Sequence, residues 1–141
     1  MKNACIAIRG RADRYDGEIA RVLDAFLDGG YCIDKAFFLP DEQTHEFAQT
    51  VIECKNFFEN VLIIAAADKL PSLRAKTAEL LGAGSGELAV GSKRFYCVPL
   101  GEAGERAVRG EVLPSLKERD QSPVSRSFVR AVGVPAELLN A

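Results

Sequence analysis

Short apolar runs bounded by turn residues alternate with stretches in which apolar positions recur every three or four residues, the pattern of a parallel sheet covered by helices. "ACIAI" (4–8) predicts the first strand. After the polar loop "RGRADRYDG", Ile19, Val22, Leu23, Phe26 and Leu27 share one helical face, and Gly29-Gly30 stops that helix. "YCIDKAFFL" (31–39) predicts a second strand closed by Pro40-Asp41. The helix after it carries Phe47, Val51, Cys54 and Phe58 on one stripe, with Asp41 or Thr44 as its cap. "VLIIAAADKLPS" (61–72) opens as a buried third strand. A helix follows Pro71, with Leu73, Thr77, Leu80 and Leu81 inward and "GAGSG" at its end.

"ELAVGSKRFYCVPL" fits either two short β runs around a Gly91-Ser92 turn or one strand with an irregular lead-in. "GERAVRGEVLPSLKER" has helical period through Val108, Val112 and Leu116, and Pro114 is expected to kink or restart it. A last strand, "SRSFVRAVGV", then gives way to a helix start at "PAELLNA". The fold class expected is α/β, three layers α/β/α with a mostly parallel sheet, read as one unit over residues 1–141.

Composition narrows the classes. At 141 residues with 48% hydrophobic content the chain can bury one real core. Its 18 Lys and Arg against 20 Asp and Glu leave a net charge of -2, so no global field draws it to nucleic acid or an anionic membrane. Lys117, Arg119, Arg126 and Arg130 are interleaved with acids and lack an aromatic stacking platform, which also argues against nucleic acid. No apolar run approaches the roughly 18 residues that span a bilayer, and the start lacks a secretory pattern, so a cytoplasmic protein is expected. Cys5, Cys32, Cys54 and Cys97 have no C-x-x-C spacing and are read as buried free thiols.

In such folds ligands sit outside the carboxyl ends of the parallel strands, which directs attention to loops 9–17, 40–44, 66–72 and 99–105. In the first, Arg9, Gly10, Arg11 and Arg14 next to a helix start can take a phosphate, while Asp16 can equally be a plain helix cap. Asp68-Lys69 can be a ligand pair or a surface ion pair. Glu102 and Glu105 suit a helix dipole without any chemistry. His45, the single histidine, has no partner that would make a catalytic constellation.

The order of residues resembles the N-terminal domain of the competence-damage-inducible protein CinA, in the molybdopterin-binding (MoaB/Mog-like) superfamily. "KRFYCVPLGEAGERAVRGEVLPSLKER" is similar to that family's strand, its Leu-Pro-Gly-Val-Pro-x-Glu-Met turn and its "VLP-x-L" helix. "SRSFVRAVGVPAELLN" is similar to its "R-T/F…G-I-x-E-S-x-L" segment, and "ARVLDAFLDGGYCIDKAFFLPDE" to its first helix, second strand and closing aspartate, with Asp41 at the aspartate. The resemblance implies a three-layer α/β/α domain with a mixed sheet, self-association as a dimer or trimer, and a strand-end pocket for the phosphate group of a pterin or nucleotide. It also implies a link to metal-dependent hydrolysis of ADP-ribose.

The departures are concentrated in the ligand loops. The family ends its third strand in "T-T-G-G-L-G-P-T", followed by two aspartates and a threonine; here Ala65-Ala66-Ala67-Asp68-Lys69 stands instead, and both glycines are gone. The family's first-loop pattern "G-x-E-L-L-x-G…D-x-N" is shortened, keeping Gly10 and Asp16. Leu100 occupies the family's glycine position in the fourth loop, leaving Pro99, Gly101 and Glu105 to carry over. Placement of reacting groups tolerates errors of only about half an ångström, so these losses argue against retained catalysis. The expectation is a domain that binds a phosphorylated small molecule through Arg9, Gly10, Arg11, Asp16, Asp41, Asp68, Pro99, Gly101 and Glu105, with weakened or no catalysis. Its cofactor is unknown. Two alternatives stand beside it. One is a nucleotide pyrophosphatase using Mg or Mn held by Asp13, Asp16, Asp41 and Asp68, and the other a self-associating scaffold with an empty pocket.

Overall fold

A computed structural model describes residues 2–8, 17–40, 44–82 and 88–119. The order is β1 (Asn3–Ile8), α1 (Gly17–Asp28), β2 (Lys35–Leu39), α2 (Thr44–Phe57), β3 (Asn60–Ala65), a 3-10 turn (Ala67–Lys69), α3 (Leu70–Leu81), β4 (Ala89–Val90) and β5 (Lys93–Pro99). Three helical segments complete it: α4 (Gly101–Ala107), a π-helical turn (Val108–Val112) and α5 (Leu113–Arg119). The last strand and helix start expected after residue 120 lie outside the described residues.

The sheet runs β2-β1-β3-β5-β4, parallel throughout except for β4, which is antiparallel to β5. Every residue of β1 and β3 is buried because helices cover both faces of the central strands, which is why these strands read as continuous apolar runs. On one face Ile6, Val51, Cys54, Ile63, Leu81 and Phe95 pack beneath α2 and α3. On the other Val22, Phe26, Ile64, Val98, Val108 and Leu116 pack beneath α1 and the α4–α5 rod. This is the three-layer α/β/α arrangement that the hydrophobic pattern implied.

Local differences from the sequence reading have physical causes. β2 begins at Lys35 rather than Tyr31. Asp34 takes the Asn3 N–H with its own carboxylate at 2.7 Å, while its N–H bonds the Asn3 carbonyl at 2.8 Å, so the regular ladder starts one residue later. Cys32 therefore lies ahead of the strand and is exposed, not buried; the other three cysteines are buried as expected. On α1, Ile19, Val22 and Phe26 are buried and Leu23 is half-buried, but Leu27 is 43% exposed and Ala25 fills the inner face. The Gly91-Ser92 stretch is a two-residue hairpin turn, with Gly91 at φ 58°.

The regular α-helix restarts at Pro114, as expected: α4 ends at Ala107, a π-helical turn follows, and α5 opens at Leu113 with the proline in its first turn. The proline cannot donate to the carbonyl of Gly110, and the preceding turn widens so that the Leu113 N–H bonds Val108, five residues back. α3 likewise begins at Leu70, with the 3-10 turn leading into it and Pro71 in the first turn, where a missing N–H costs nothing. Among the described residues no helix is long and apolar enough to cross a membrane.

Candidate functional site

The connections that leave β1 and β3 run in opposite directions across the sheet. α1 carries the chain outward to β2 over one face, whereas α3 carries it from β3 to β5 over the other. The succession of strands thus reverses between β1 and β3, and their carboxyl ends, Ile8 and Ala65, flank the crevice that such a reversal opens. Pro99 ends β5 on the far side of β3.

Five of the sequence candidates, Arg9, Gly10, Arg11, Asp16 and Asp41, lie outside the described residues, as does Asp13. Asp68 is exposed in the first turn of the 3-10 helix. There a carboxylate suits the amino end of the helical run on electrostatic grounds alone. That turn is right-handed throughout. Ala66 enters it at φ −59° and Lys69 leaves it at φ −93°, with the Lys69 N–H on the Ala66 carbonyl at 2.9 Å. A backbone anion nest needs alternating right- and left-handed residues, and this turn does not alternate.

Around β5, Gly101 opens α4 at φ 67°, a backbone state that suits glycine, after an extended Leu100. A β-carbon placed on Gly101 would lie 3.4 Å from Oε2 of Glu18, so the first turns of α1 and α4 stand side by side with a carboxylate between them. Glu102 adds another acid to the first turn of α4.

Gly104 is closer still: a β-carbon there would sit 1.9 Å from the Pro99 carbonyl oxygen and 2.6 Å from Cγ2 of Val22. The missing side chain lets α4 press onto both the end of β5 and α1. Glu105, one residue on, accepts from Nε of Arg21 at 2.7 Å and lies 3.5 Å from the Arg109 guanidinium. The Arg21 hydrogen bond, followed by the charges of both arginines, holds the Glu105 carboxyl below the usual carboxylate range. The Arg21 bond thus ties α4 to α1, and the Arg109 contact stays within the α4–α5 rod.

Sequence reasoning missed Glu18, Arg21 and Gly104. The Gly101-x-x-Gly104 spacing was a readable signal, because a glycine inside a helix with no capping role implies a close neighbour. His45 is exposed beside Glu46 in the first turn of α2. Among the described residues, no three His, Cys, Asp or Glu side chains cluster closely enough to hold a metal ion. A separate groove of about 470 Å³ runs along the outer edge of β5, away from the strand ends. Comparison with known protein families, with characterised proteins and with solved structures gives no match for this chain.

Proposed function

We propose that this chain is a divergent CinA-type, molybdopterin-binding-like domain that binds a phosphorylated small molecule, a nucleotide or a pterin, with weakened or no catalysis. The observation that carries this reading is the reversal of strand succession between β1 and β3. The loop that leaves β1 at that crevice is the one that holds Arg9, Gly10 and Arg11. Arginine forks and a glycine amide are the groups that recognise a phosphate.

The neighbouring loops contribute differently. The β3 loop is a right-handed turn whose alanine β-carbons keep the backbone from close approach to an anion. Carboxylates of Glu18 and Glu102 border the start of α4, which disfavours a second phosphate subsite there. Phosphate recognition then falls to the arginine loop, with Asp68 at the rim. A divalent ion, Mg or Mn, enters only if hydrolysis is retained. Self-association as a dimer or trimer belongs to the same family reading.

Thermal melts with ADP-ribose, ADP and a pterin phosphate, with and without Mg, test it. Ligand at 100 times its Kd stabilises the fold by about 2.7 kcal/mol. A shift that disappears in Arg9→Ala/Arg11→Ala supports the proposal, and no shift across the panel refutes it. Metal-dependent turnover of ADP-ribose lost in Asp16→Ala would replace it with the hydrolase. Light scattering reads the oligomer in the same samples.

A further inference from the structure

We draw no further inference here: the strongest candidate, the groove of about 470 Å³ along β5 lined by Arg74, Tyr96 and Glu111, carries nothing because residues 83–87, which lead into Leu88 of its wall, and 120–141, which follow α5, lie outside the described residues, so nothing in the structure shows what covers it.

Discussion

Asn60 donates its side-chain amide to Oδ1 of Asn3 at 3.0 Å across the β1–β3 pair, and both residues are buried. They are also register partners in the ladder. Asn3 in turn donates to the Cys32 carbonyl at 3.0 Å, and the Arg119 guanidinium bonds both Asn60 Oδ1 and the Ser92 carbonyl. A polar chain therefore runs along the amino ends of the strands, opposite the candidate ligand end. Its value is specificity. β1 and β3 are buried on both faces, so sliding one past the other keeps apolar residues inside, and alternation alone fixes the register weakly. The asparagine pair makes only one register satisfy its polar groups.

Asn60→Leu is expected to cost about 2 kcal/mol, because Asn3 Oδ1 and the Arg119 fork lose their partner inside the molecule. The Asn3→Leu/Asn60→Leu double variant should cost less than the sum of the two single changes, since neither amide is then stranded. Urea unfolding of the four proteins measures the coupling. Strictly additive losses would show that the pair does not act as a unit.

Three glycines give a graded series at one level of chemistry. Gly104→Ala drives a methyl into the Pro99 carbonyl, a backbone group that cannot rotate away, so about 3 kcal/mol of destabilisation is expected. Gly29→Ala meets only the Leu113 methyl groups, at 2.5 and 2.7 Å, which can change rotamer; about 1 kcal/mol follows. Gly110→Ala meets nothing within 4 Å in the π-helical turn and should stabilise by about 0.5 kcal/mol through the unfolded chain. The same urea midpoints rank the three. A Gly104→Ala protein as stable as wild type would contradict the close α4 contact.

The layer architecture was legible because apolar runs and helical stripes are one-dimensional signals: Val22, Val51, Ile63 and Leu116 all fall on the predicted inner faces. What was not legible depends on partners distant in sequence. Asp34 shortens β2 through a bond to Asn3, and that bond is also why Cys32 is outside. The π-helical turn answers a local conflict at Pro114, but its form is set by how Val108, Val112 and Leu113 pack together under the rod. Glu105 read as a ligand residue from the family pattern, whereas its described contacts are with Arg21, 84 positions earlier, and Arg109. Spacing carries no trace of such a pair.

That ion pair has a pH signature. A carboxyl held below its ordinary value near 4.5 contributes stability above that value and loses it as the pH falls through the lower folded-state value. Wild type should therefore exceed Glu105→Gln in stability at pH 7, with the gap closing progressively below about pH 4.5. Arg21→Ala should show the same closing gap, since the Arg21 hydrogen bond is the largest cause of the shift. Because Arg21 is about half exposed, added salt should narrow the gap at pH 7 as well. Chemical denaturation at pH 7, 5 and 3 reads this directly, and a gap that stays constant with pH would show that the Glu105 carboxylate charge does not stabilise the fold.

Thiol chemistry separates Cys32 from its fellows. Burial pushes the Cys5 and Cys97 thiols up to about 11 and Cys54 to about 12, so at pH 8 only about one in a thousand or fewer of these groups is a thiolate. They are also shielded from reagent, at 9% exposure or less. Cys32 is exposed because β2 starts three residues after it. Native protein at pH 8 should therefore release one equivalent of thionitrobenzoate promptly from Ellman's reagent, and four only after denaturation. Cys32→Ser should abolish the prompt phase and leave the melting curve unchanged. A prompt phase that survives in that variant would mean that one of the buried three is reached through local opening, and Cys97, on the groove along β5, is the first to examine by its own serine substitution.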